Sequence, residues 1–114
     1  MAKISFEGIG EKVATFEAKS GLERGKVCKV TAAAEVGGCG AGDRFCGVAL
    51  GVSEELAAVQ VGGFVTVGYS GTVAAGFTKL SADGSGGVKT DAAGGTEYLV
   101  VDVDTAAKMA TVLL

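Results

Sequence analysis

Three thiols and a few neighbouring carboxylates are the side chains whose types and spacing invite chemistry. Cys28, Cys39 and Cys46 are odd in number, lack Cys-x-x-Cys spacing and have no fourth ligand. They support no zinc site and read as free thiols, with a Cys39–Cys46 disulfide as the alternative. Asp102 and Asp104 fall on one face of an expected strand, as a carboxylate pair must for acid–base work or for a hard cation. Nothing else in the chain offers a third group to orient them, so they read as solvent-facing acids at a strand end, as do Glu54 and Glu55. The sequence has no histidine. That removes Ser-His and Cys-His pairs, histidine metal ligands and the one side chain that titrates near neutrality unaided.

Two glycine-rich segments fail as phosphate cradles. Gly38-Cys-Gly-Ala-Gly-Asp has its third glycine one position early for a dinucleotide fingerprint and no helical pattern after it. Asp83-Gly-Ser-Gly-Gly lacks the lysine of a phosphate loop and the repeated acids of a calcium loop, and reads as a hairpin turn. The expectation is a protein that is not an enzyme, with no catalytic residues, no cofactor and no metal.

The elements that carry these residues are short strands. The 114 residues are the size of one domain and include 20 glycines, no proline and no tryptophan; 48% are hydrophobic but only 6% aromatic. Alternation places strands at residues 3–7 and 11–17, a third at 26–33, and an apolar strand at 45–52. A flexible glycine connection is expected from Gly37 to Gly42. Ser53-Glu-Glu-Leu-Ala-Ala is too short for more than a turn. Residues 57–61 and 64–69 flank Gly62-Gly63, which reads as the turn of a tight hairpin. Further strands follow at Val88-Lys-Thr, Glu97 to Val103 and Met109 to Leu114. The segments Val48 to Val61 and Val100 to Leu113 echo one another, which reads as two hairpins of a valine-rich chain, with an internal duplication as the alternative. The fold expected is all-β: a small compact barrel or sandwich of about eight short strands with glycine-rich turns. It forms a single domain over 1–114 around one core, with 1–10 set apart as an N-terminal arm or edge strand.

A net charge of −3 is the wrong sign for a phosphate-backbone binder, so nucleic acid is not an expected partner. No apolar run reaches membrane-spanning length, and no secretory signal opens the chain, which places its synthesis in a cytoplasm.

The order of the segments carries a resemblance. Met1-Ala-Lys and a hairpin, then Gly25-Lys-Val-Cys-Lys-Val, Gly47-Val-Ala-Leu, Ala58-Val-Gln-Val-Gly-Gly-Phe-Val-Thr-Val, Ala82-Asp-Gly, Val88-Lys-Thr, Tyr98-Leu-Val-Val-Asp-Val and Ala110-Thr-Val-Leu-Leu follow in turn. Over nearly its whole length the chain resembles the capsid-decorating (cement) proteins of tailed bacteriophages. Thr72 to Leu80 departs from the pattern, lacking an aromatic pair before the Asp-Gly turn. The resemblance implies a structural virion protein on the outer surface of the capsid, made in the host bacterial cytoplasm. It would bind the major capsid protein as a homotrimer and stabilise the DNA-filled head. Ile4 and Phe6, on one face of the first strand, are the expected capsid contacts through strand addition. Phe64, Val65, Val67, Tyr69, Met109, Val112 and Leu114 are expected in core packing or in contacts between copies. The alternative is a small β-type module that binds a ligand or glycan in a concave pocket supplied by Tyr69, Phe77 and Tyr98.

Overall fold

A computed structural model describes Ser5, Phe6 and residues 8–114. Among these the chain forms ten strands and no helix. The strands are β1 (Lys12–Ala18), β2 (Val27–Ala32), β3 (Glu35–Gly38), β4 (Gly47–Val52), β5 (Leu56–Gly62), β6 (Phe64–Gly68), β7 (Gly76–Ala82), β8 (Val88–Thr90), β9 (Thr96–Asp104) and β10 (Met109–Leu113). The all-β expectation holds. Of the strand expected over residues 3–7, Ser5 and Phe6 are in no strand, and the rest lies outside the described residues.

The first five strands close a barrel in the order β1-β3-β2-β4-β5, and the last five form a sheet in the order β6-β10-β9-β7-β8. The second repeats the first strand for strand. In each unit the first strand pairs antiparallel with the fifth, the fifth with the fourth, the fourth with the second and the second with the third. In the first unit β1 and β3 close the ring in parallel through Glu17–Glu35 and Ala18–Val36. In the second, a single parallel bridge between Tyr69 and Val88 joins the two edges, and the Ser70 N–H donates to the Val88 carbonyl at 2.9 Å. One irregularity coincides: Leu50 bulges from β4 between Ala49 and Gly51 as Val101 bulges from β9 between Val100 and Asp102, whereas the shifts at Lys12/Val13 and Val30/Ala32 occur in the first unit alone. The echo seen in sequence is therefore part of a structural repeat, which favours the duplication over two unrelated hairpins.

Alternation makes each unit fill its own interior. In the first, Cys28, Val36, Ala49, Ala57 and Val59 are buried, with Phe16, Ala18 and Val52 packed against them. Their counterparts Leu80, Val88, Val100, Ala110, Val112, Val67, Tyr69 and Val103 gather in the second. Two cores result where one is expected. The second core also takes in Val27, Phe45 and Val48, which stand on the outer face of the first barrel, so the first barrel covers the end of the second.

Two glycine segments depart from the sequence expectation. Gly62-Gly63 makes no hairpin: β5 pairs with β1 and β4, whereas β6 pairs with β10 in the other sheet. The glycines form the joint between the units. Gly63 sits at a φ of 85°, and a Cβ there would lie 2.5 Å from the Gly10 carbonyl group. Gly37-Gly38, expected in a flexible connection, belongs to β3, where a Cβ on Gly37 would crowd Thr31 Cγ2 at 3.0 Å.

Candidate interaction surface

The outer face of the second sheet carries a continuous apolar row. Phe64 on β6 stands opposite Leu113 on β10, Leu113 opposite Leu99 on β9, and Leu99 opposite Phe77 on β7. The neighbours Val65, Val112 and Val100 point inward, so alternation turns the row outward. Phe6 extends it, its ring 5.2 Å from that of Phe64. Phe77 is 73% exposed and Leu113 36%, while Phe64 and Leu99 are half-buried. Polar pairs flank the row: the Thr66 and Thr111 hydroxyls meet at 2.9 Å on one side, and Lys79 stands opposite Glu97 on the other. An apolar centre with a polar rim is the layout of a protein interface.

The residues expected at contacts divide accordingly. Val65, Val67, Tyr69 and Val112 are buried in the second core, and the half-buried Leu114 packs against it. Phe64 lies in the row, and Met109, one step along β10 from the Thr111 rim, is exposed. Phe6 rests on Phe64, and Ile4 lies outside the described residues. Sequence reasoning missed Leu99, did not single out Leu113 within the closing strand, and gave Phe77 only as a candidate pocket residue. Their strands alternate, but only the cross-strand register aligns them.

The equivalent row of the first barrel is Val13, Gln60, Val48 and Val27, paired in the same sequence across β1, β5, β4 and β2. There Gln60, Val48 and Val27 are buried beneath the second unit. The Gln60 side-chain amide donates to the Gly62 and Phe64 carbonyls at 3.0 and 2.9 Å, satisfying groups at the joint.

The residues of chemical interest are each used locally. Asp104 accepts hydrogen bonds from the Ala106 and Ala107 amides in the β9–β10 turn, and Asp102 accepts one from the Val103 amide. Burial would raise the Asp83 carboxyl, but hydrogen bonds from the Ser70 hydroxyl and from the Ser85 and Gly87 amides outweigh it and hold its pKa below the usual carboxylate range. Asp91 is lowered by the Gly94 amide and the Ser81 hydroxyl, and Asp43 by its 2.6 Å ion pair with Lys29. All three cysteines are free. Cys46, just before β4, meets Cys28 of β2, where the Cys46 N–H donates to the Cys28 carbonyl at 2.8 Å. The Cys28 thiol donates to the Gly47 carbonyl at 3.7 Å, and the neighbouring Cys46 together with burial raises Cys28, while Cys46 is held below the usual thiol value beside it. Cys39 is pushed up to about 11 by burial. No group of three or more Cys, Asp and Glu suited to a metal ion occurs among the described residues.

The three aromatics of a candidate ligand pocket are dispersed. Tyr69 is buried, with the Lys108 ammonium 5.1 Å from its ring centre. Tyr98 stacks on Phe45 at 5.0 Å beside an open depression of about 480 Å³ that also includes Arg44 and Leu114. Phe77 lies on the opposite, outer face of the sheet. In comparison with known proteins, the chain matches no family model and no curated protein.

Proposed function

We propose that the protein is a structural virion protein, not an enzyme, which binds the outer surface of a phage capsid and stabilises the DNA-filled head. Its partners are the major capsid protein and further copies of itself, as a homotrimer. The observation that carries this reading is apolar surface left uncovered on both units: Val30 (55% exposed) and Leu56 (52%) on the first barrel, and the Phe77 row on the second. Contiguous exposed apolar surface rimmed by polar groups marks an interaction site. A piece clamped between neighbours on a shell needs contact area on more than one side. The order of strand and turn segments, which resembles that of cement proteins, supports the same reading.

In this reading the N-terminal residues Ile4 and Phe6 reach the shell, with Phe6 anchored beside Phe64. A ligand- or glycan-binding module is favoured less, because Tyr69, Tyr98 and Phe77 share no hollow.

Sedimentation with empty, expanded heads of the cognate major capsid protein tests the proposal. The protein is expected to pellet with them and to saturate at a fixed ratio, and removal of residues 1–8 is expected to lower occupancy. Protein that stays in the supernatant and instead binds immobilised glycans would overturn the reading.

A further inference from the structure

We propose that Cys28 and Cys46 form a thiol–disulfide exchange site, in which a small-molecule disulfide of the glutathione class reacts at Cys46 and leaves the two cysteines joined to each other. The proposal stands on the seam between β2 and β4 and not on the capsid reading.

Three free cysteines allow three pairings, and their packing separates them. Cys28 is buried in the first core and Cys46 packs against that core, whereas Cys39 packs against the second. Alternation along β2 makes the division: Cys28 points into its own barrel, and Val27, one residue earlier, points to the other core. Cys28 stands opposite Gly47, and Cys46, the residue before Gly47, donates its N–H to the Cys28 carbonyl at 2.8 Å. With standard backbone dimensions, that bond keeps the two Cα atoms within about 6.7 Å of each other. A disulfide spans Cα separations of roughly 4.4–6.8 Å. The Cys28 thiol donates to the Gly47 carbonyl at 3.7 Å, which turns its sulfur toward the segment that carries Cys46.

Exposure fixes the order of events. Cys28 is fully buried, while Cys46 is half-buried and lines the open depression of about 480 Å³ beside Phe45 and Tyr98. Arg44, at the same depression, suits the carboxylates of a peptide disulfide. Cys46 is also held below the usual thiol value, which favours its thiolate. That thiolate attacks one sulfur of the incoming RSSR: a Cys46–SR bond forms, the S–S bond of RSSR breaks, and RS⁻ leaves to take up the proton that Cys46 lost. Cys28 then attacks the Cys46 sulfur, the Cys46–SR bond breaks, and the second RS⁻ leaves with the Cys28 proton. Two protein thiols are oxidised to one disulfide and one RSSR is reduced to two RSH. Because β2 and β4 meet at only two residue pairs, Val27–Val48 and Cys28–Gly47, the new bond staples a thin seam of the ring.

The full-length protein, reduced and then freed of reductant, is to be incubated with glutathione disulfide and its thiols counted after unfolding. The three thiols are expected to fall to one. Lys26, Lys29 and Arg44 place each cysteine on its own tryptic peptide, and mapping without reduction is expected to join the Cys28 peptide to that of Cys46. Cys39→Ala is expected to form the same link, and Cys28→Ala to stop at a glutathione adduct on Cys46. In the oxidised wild type, amides joining β2 and β4 are expected to exchange with solvent at least about tenfold more slowly than in the reduced protein. Three persisting thiols, a link that includes Cys39, or a wild type that stops at the adduct would each overturn the proposal. Exchange rates unchanged by oxidation would overturn it too, since the link would then belong to unfolded chains.

Discussion

The two units share a strand order and differ in what fills and closes them. The interior of the first includes the small Cys28, Ala49 and Ala18 and that of the second the larger Leu80, Val100 and Tyr69, although Phe16 stands in the first where Val67 stands in the second. Its second and fourth strands meet at two residue pairs, Val27–Val48 and Cys28–Gly47, whereas β7 and β9 pair at five positions from Gly76 to Leu80. The second unit has the larger core and the longer seam, yet its ring closes through one bridge and its core is completed by Val27, Phe45 and Val48 of its neighbour. One topology thus supports two solutions: a well-closed ring with a thin filling, and a well-filled sheet that borrows its end wall.

The most direct way to break this comparison is to empty the two cores. Leu80→Ala in the second is expected to cost ~2–5 kcal/mol in chemical denaturation, and Cys28→Ala in the first only about 1–2 kcal/mol, since less volume is removed. Equal losses would refute the difference in filling. The joint comes next. Gly63→Ala must hold a left-handed conformation at ~1–2 kcal/mol and also displace the Gly10 backbone, so a lowered midpoint with two separable transitions is expected by calorimetry. Hydrogen exchange sharpens the contrast in seams: amides joining β2 and β4 are expected to exchange about tenfold faster than those joining β7 and β9.

The smallest effect concerns acid. Asp83 has its pKa lowered in the folded protein, so its contribution is present above the usual carboxylate pKa and is lost as pH falls through the folded value. Asp83→Asn is expected to cost a few tenths to ~1 kcal/mol at neutral pH, given solvent screening. The gap between variant and wild type is expected to close as pH drops below about 4. Thermal melts across that range would show it, and a constant gap would assign the loss to hydrogen bonding alone.

Much of the strand pattern could be read directly. Alternation located β1, and valine-rich runs located β4, β5, β6, β9 and β10. β3 escaped because two of its four residues are glycine, which signals a loop unless the close approach of Thr31 to Gly37 is known. β7 escaped because one face carries the mixed set Phe77, Lys79 and Ser81 and because Ser81 is buried beside Leu80 and Ala82, which disguises the alternation. The Gly62-Gly63 pair looked like a hairpin because a local turn signal does not report which partner the next strand will choose, and here Leu113 and Val112 supply that partner. The contact row was hidden for the same reason. Phe64, Leu99, Phe77 and Leu113 are scattered along the chain, and only the register of three strand pairings sets them side by side.

The pairing of β1 with β5 also has a consequence for synthesis. The first ring cannot close until Gly62 has left the ribosome, because its first strand waits for its fifth. Yet it can then close before any strand of the second unit has emerged, since none of its pairings reaches beyond Gly62. During that interval Val27 and Val48 face water with nothing to cover them, and they stay uncovered until the second unit arrives. Nascent chains stalled within the second unit should therefore be the species most apt to bind chaperones or one another. The same late arrival gives translation a direction, with the first ring serving as the template on which the second is laid down.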